Sequence, residues 1–169
     1  MTEGKPVVEA IASLAKRHQI HVGVAESLTS GALSASLGAG PDASTWFRGA
    51  VVAYDAEVKA DVLGVRSSQL VTADCALQMA RGAMRVLGTE AAVATTGVGG
   101  PDPEEGEPPG TVYVAAVVHD HDHCERFEFG GGPDDVLAST ISRAQRMLLE
   151  VMGDALAAGQ RTTATGQSA

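Results

Sequence analysis

The sequence predicts an α/β fold: a three-layer α/β/α sandwich on a mixed, mostly parallel five-stranded sheet with one antiparallel strand. Two observations predict it. Short apolar, β-rich runs at 20–25, 46–54 and 91–95 alternate with amphipathic stretches of helical length, the order that builds parallel βαβ units. Two further runs, 111–119 and 124–129, lie close enough to pair as a hairpin, which turns one strand against the rest. With 169 residues and 44% hydrophobic side chains, one domain with a full core is expected over residues 1–157.

The first helix is predicted over 5–18, where Val7, Val8, Ile11 and Leu14 fall at helical spacing. Lys16, Arg17 and His18 near its end complement the helix dipole. Ile20 to Ala25 is the first strand. A helix of small residues from Thr29 to Leu37 stops at the breaker cluster Gly38-Ala39-Gly40-Pro41. Trp46 to Tyr54 is the second strand, its Val51-Val52 pair predicting burial on both faces.

A short helix from Ala56 to Leu63 closes at Gly64. Thr72 is a favoured N-cap for the next helix, with Leu77, Ala80, Met84 and Leu87 on one stripe and Gly88 at its end. After the third strand, residues 97–110 form a long loop rich in Gly, Pro and acids. His119-Asp120-His121-Asp122-His123 is predicted to join the hairpin strands. Gly130 to Asp135 opens a last helix buried through Leu137, Ile141, Ala144, Leu148 and Val151. The segment 158–169 has no periodicity and is expected to be a disordered tail.

A net charge of −9 and a pI near 4.9 argue against nucleic acid as a partner, since phosphate backbones select clustered Lys and Arg. Cys75 and Cys124 are far apart and lack metal-ligand spacing, which fits a reducing, cytoplasmic setting. The N-terminus has no apolar signal core and no stretch reaches membrane-spanning length, so no membrane association is expected. Oligomeric state is not written in the pattern; a homodimer is the default among soluble oligomers.

Three segments carry chemistry. Each is the end of a predicted strand running into a turn, and in open α/β sheets such ends converge where ligands bind. Ser27 ends the first strand, ahead of Thr29, Ser30 and Gly31, whose N–H groups at a helix start suit an oxyanion. Taken alone, Ser27 reads more readily as an N-cap than as a nucleophile. Glu26 reads as a buried hydrogen-bond partner or as a solvated acid. Tyr54 and Lys59 follow the second strand: a lysine held inward and desolvated is a usable base, and the other reading is a solvated helix charge beside a rim tyrosine. Thr96, Gly97, Gly99 and Gly100 follow the third strand, where glycines let backbone N–H groups approach an anion, although the run is neither a dinucleotide fingerprint nor a P-loop. Asp102, Glu104, Glu105 and Glu107 read as a solvated loop rather than metal ligands, and the His-Asp run as a polar tip rather than a zinc or nickel site; no metal is assigned.

Together these segments resemble the C-terminal domain of the competence/damage-inducible CinA family. Ala25-Glu26-Ser27-Leu28-Thr29-Ser30-Gly31 is similar to its A-E-S-C-T-G-G signature, and Trp46-Phe47-Arg48-Gly49 through Tyr54 and Lys59 to its W-F-x-G…Y-x-x-x-x-K segment. Thr96-Gly97-Val98-Gly99-Gly100-Pro101-Asp102 with Pro109-Gly110-Thr111-Val112-Tyr113 is similar to its glycine-rich block. The resemblance covers about residues 5–155 and implies a sandwich like that of anticodon-binding domains. It also implies an amidase that deamidates nicotinamide mononucleotide without a cofactor. On that basis Ser27 is the expected nucleophile and Lys59 the base, with Tyr54 assisting. Thr29, Ser30, Gly31, Thr96, Gly97, Gly99 and Gly100 are then the residues around the substrate. The N-terminal molybdopterin-binding-like domain of longer members is not implied.

Two departures stand out: Leu28 and Ser30 replace Cys and Gly, which removes no catalytic group, and Pro133 and Leu137 stand where the family carries arginines suited to the substrate phosphate, which bears on specificity. The partner is therefore expected to be a small-molecule nucleotide or amide. The alternative is a non-catalytic nucleotide-binding module of the same fold.

Overall fold

The computed structural model describes residues 4–165, with side chains through residue 159. The elements are α1 (Gly4–His18), β1 (Val22–Glu26), α2 (Ala32–Gly38), a 3₁₀ turn (Ala43–Thr45), β2 (Phe47–Val52), α3 (Ala56–Asp61), α4 (Ala73–Leu87), β3 (Ala91–Gly97), β4 (Thr111–Val118), β5 (His121–Glu128) and α5 (Pro133–Thr165). The sheet order is β2-β1-β3-β4-β5. β1 pairs parallel with β2 and β3, while β4 runs antiparallel to both of its neighbours. The predicted architecture is observed, including its single reversed strand.

Alternation along the strands divides the core in two. Val22, Val24, Val93, Val112 and Val114 face α1, α2 and α5, where they meet Ile11, Leu33, Leu37, Met147 and Leu148. Ala25, Ala92, Ala94, Ala115 and Val117 face the other layer, with Met79, Ala80 and Ala83 of α4. That second layer is built from small side chains, which lets α4 come close to the sheet. The deeply buried face of α4 is Cys75, Ala76, Met79, Ala80, Gly82 and Ala83, so the predicted stripe is rotated and Leu77, Met84 and Leu87 lie at its flanks. Close approach also explains Gly82: a Cβ there would collide with the Leu63 carbonyl oxygen and come within 2.9 Å of Leu63 Cα. Gly82→Ala is therefore expected to lower stability by about 2 kcal/mol, as overpacking does, despite the better helix propensity of Ala. A shift of the urea midpoint measures it.

Three local expectations are corrected. β2 is an edge strand paired only with β1, and Val52 is 47% exposed, so it is not buried on both faces. The hairpin turn is only His119-Asp120, with His119 at φ 52, and β5 already begins at His121. His121 and His123 therefore stand on an exposed edge strand, and Asp122 pairs with Arg81 of α4. Finally, α5 runs on to Thr165, past the domain end at 157 and into the expected tail. Ala, Gln and Arg are good helix formers that extend an already nucleated helix, and Met152 and Ala155 anchor it on the core. Residues 166–169 of that tail lie outside the described residues. Among the described residues no helix is long and apolar enough to cross a membrane.

Candidate active site

After β1 the chain moves to β2 on one side and later to β3 on the other, and α2 and α4 cover opposite faces. The carboxyl ends of β1 and β3 thus form the crevice expected at such a switch point. A cleft of about 830 Å³ opens there. Ser27, Leu28, Tyr54 and Lys59 line it, with Thr96 to Glu104 on one wall, Leu70 and Val71 on another, and Pro133, Asp134 and Leu137 of α5 at the mouth.

Ser27 is held by its backbone. Its N–H donates to Thr95 (3.1 Å) and its carbonyl accepts from Ser30 N–H (3.1 Å), while its hydroxyl has no partner among the described residues. The cap of α2 is not Ser27 but Glu26. That carboxylate is fully buried and accepts from Gly31 N–H (3.0 Å), Leu33 N–H (3.1 Å) and Ser34 N–H (2.9 Å). Positive φ at Ser30 and Gly31 makes this tight return possible, and Gly at the second position meets no steric penalty.

This arrangement alters the expected oxyanion donors. The Ser30 and Gly31 N–H groups are already used, and the Thr29 hydroxyl is buried against the Thr95 hydroxyl at 2.9 Å. Thr29, Ser30 and Gly31 do not line the cleft; they shape the turn beneath it. The neighbour that does line it is Leu28, whose N–H makes no hydrogen bond with the described residues.

Lys59 comes from the short helix α3, capped by Asp55 through Glu57 N–H (2.7 Å). Only 3% of Lys59 is exposed. Its ammonium donates to the Tyr54 carbonyl at 2.9 Å and pairs with no carboxylate among the described residues. Burial pulls its pKa below the usual lysine range, against the opposing pull of Cys75, Glu104, Asp55 and Glu105 nearby. Tyr54 meets Lys59 through its main chain; the residue itself is 72% exposed and lies at the rim. The contact between Tyr54 and Lys59 is thus made through a carbonyl rather than a phenol. Beneath the site the Cys75 thiol is pushed up to about 11 by burial, and both cysteines are free.

The third wall is built by the loop after β3. Gly97 admits the close passage of Val112, whose Cα would lie 2.7 Å from any Cβ placed there. Gly99 and Gly100 also line the cleft. The Thr96 hydroxyl donates to the Leu70 carbonyl (2.7 Å), so it braces the neighbouring segment. Glu105 reaches the same segment and accepts from Leu70 N–H (2.7 Å) and Val71 N–H (2.9 Å). Glu107 pairs with Arg126. The loop acids are therefore divided: Glu105 and Glu107 fasten the loop, and Asp102 and Glu104 border the cleft. Arg143 lies elsewhere, engaged by Glu125 and Glu150 and stacked on Phe127.

Ser27, Tyr54, Lys59, Thr96, Gly97, Gly99 and Gly100 are thus brought to one cleft. Leu28, Asp55, Leu70, Val71 and Asp134 were not among the sequence candidates for the site, and of the two readings of Glu26 the buried hydrogen-bond partner is the one observed. Leu28 and Glu26 flank Ser27, and adjacency to a strand-end serine was the available signal.

Comparison with known proteins agrees with this architecture. The sequence model of the CinA C-terminal domain matches residues 4–152. A Bacillus subtilis protein carrying the provisional name competence-damage inducible protein is 34% identical over 130 residues, which are 74% of this chain and 31% of that protein. The chain thus spans about a third of the length of such relatives. The crystal structure of a CinA superfamily protein from Klebsiella pneumoniae superposes with a TM-score of 0.83 at 29% identity, covering 89% of this chain and 98% of the other. One from Escherichia coli gives 0.82 at 28% identity, covering 86% and 88%. With its sheet order, strand-end motifs and nearly whole length accounted for, the chain belongs to the CinA family, as a CinA C-terminal domain.

Proposed function

We propose that the cleft is the active site of an amidohydrolase acting on nicotinamide mononucleotide or a related carboxamide, with Ser27 as nucleophile and Lys59 as base. The observation that carries this reading is a buried lysine without a carboxylate partner lining the same cleft as a serine whose hydroxyl is unengaged. A desolvated amine of this kind gives up its proton more easily than an exposed one, which a general base near neutral pH requires.

In the proposed cycle neutral Lys59 takes the Ser27 proton as Oγ bonds to the carboxamide carbon. The oxygen of the tetrahedral intermediate faces the cleft-lining backbone near Leu28 and Gly97, and Lys59 returns the proton to the departing nitrogen, which leaves as ammonia. Lys59 then takes a proton from water, the resulting hydroxide attacks the acyl carbon, and Ser27 Oγ leaves with that proton. The carboxylic acid and free enzyme result, with no cofactor consumed.

The test is ammonia release from nicotinamide mononucleotide together with mass analysis of the protein under turnover. An acyl adduct on Ser27, absent from Ser27→Ala, is expected. Equal rates in the two proteins would remove the amidase reading for this substrate, and thermal stabilisation by the ligand without ammonia would favour the non-catalytic nucleotide-binding module.

A further inference from the structure

The charges around the cleft are one-sided. Lys59 is the only cation among its lining residues, and it lies at the bottom; Asp55, Asp102, Glu104 and Asp134 are exposed around it. Asp102, Glu104 and Asp134 make no side-chain ion pair or hydrogen bond with the described residues, so their charge is not neutralised locally. Once Lys59 is neutral, as a base must be, the lining is purely anionic.

The amino end of α5 makes the same point independently. A helix start attracts anions through its unbonded N–H groups and its dipole. Here Pro133 contributes no N–H, Asp135 folds back to accept from Gly132 N–H (2.9 Å), and Asp134 places a carboxylate in the first turn at the mouth. Carboxylates of the protein itself thus stand at the helix start, where an anion would otherwise be stabilised. Leu137, one turn on, presents an apolar side chain to the mouth, where it suits an uncharged group.

We infer that the cleft selects a carboxamide without a phosphate, and favours one carrying a positive charge, such as a pyridinium-type nucleoside. This rests on the amidase reading for the fate of the amide, but not for binding. A doubly charged phosphate would enter a field of four carboxylates with no guanidinium to meet it, whereas a cationic ring is attracted by the same field.

The experiment is calorimetric titration of the Ser27→Ala protein with nicotinamide mononucleotide and with the same nucleoside lacking its phosphate. At low salt the nucleoside is expected to bind about tenfold tighter or more, with the gap narrowing in about 0.5 M salt. Asp134→Asn and Leu137→Arg in that background are each expected to move the ratio toward the mononucleotide. Binding of the mononucleotide as tight or tighter, or of neither compound, overturns the inference. Ammonia assays on the unsubstituted protein separate the two claims. Nucleoside preference without ammonia from either compound removes the amidase reading and leaves the charge selection standing; ammonia release with tighter mononucleotide binding does the reverse.

Discussion

If Lys59 is the base, Lys59→Met is expected to lower ammonia release by about 10³-fold, within the range that general acid–base catalysis contributes, and to leave the protein folded. Methionine has nearly the same length and fills the same enclosed space, so the buried volume stays filled while the proton acceptor is lost. The pH behaviour distinguishes this from a structural lesion. With Lys59 present, activity rises with pH as the ammonium loses its proton, at a midpoint below the usual lysine range because burial disfavours the charged form.

Stability is linked to the same proton. Between the folded and the unfolded pKa, the unfolded chain holds a proton that the folded one does not, so stability increases with pH through that window. Below the folded pKa both states are protonated and burial of the ammonium is an unrelieved penalty. Lys59→Met removes both the activity limb and this slope, and it is expected to raise Tm at neutral pH. Rate profiles and thermal melts across pH measure the two effects; retention of activity in Lys59→Met would overturn the assignment of the base.

Glu26→Ala is expected to cost about 3 kcal/mol or more, enough to threaten the fold of an ordinary domain. The carboxylate is completely buried and holds three backbone N–H groups at 2.9–3.1 Å. Removing it leaves the Leu33 donor enclosed without an acceptor and opens a cavity at the end of β1, each a known route to large losses. Glu26→Gln keeps one carbonyl acceptor and is expected to recover about half of the loss. Urea unfolding with an unchanged m-value measures this. A loss below about 1 kcal/mol for the alanine variant would show that water replaces the carboxylate.

The α/β class with its one reversed strand, and the convergence of Ser27 and Lys59 on one cleft, were legible in the sequence, because strand-end motifs and α/β alternation depend on residue types. What was not legible depended on backbone partners or on position in the sheet. Glu26 looks the same whether it faces solvent or three N–H groups, and those groups carry no residue identity. Val51-Val52 is the same apolar run in a central or an edge strand. The expected α4 stripe runs through Leu77, Met84 and Leu87 as well as Ala80, since large apolar residues dominate any periodicity. The contact face is instead made of Cys75, Ala76, Ala80 and Ala83, which close packing on an alanine-rich sheet selects. His119 to His123 set the length of a connection but not where pairing resumes.

The clasp of Thr96 and Glu105 on Leu70 and Val71 joins two stretches more than twenty residues apart into one mechanical piece. Transplanting substrate preference between relatives by swapping the glycine-rich loop alone would leave its counterpart without docking points. A working chimera has to carry both stretches together.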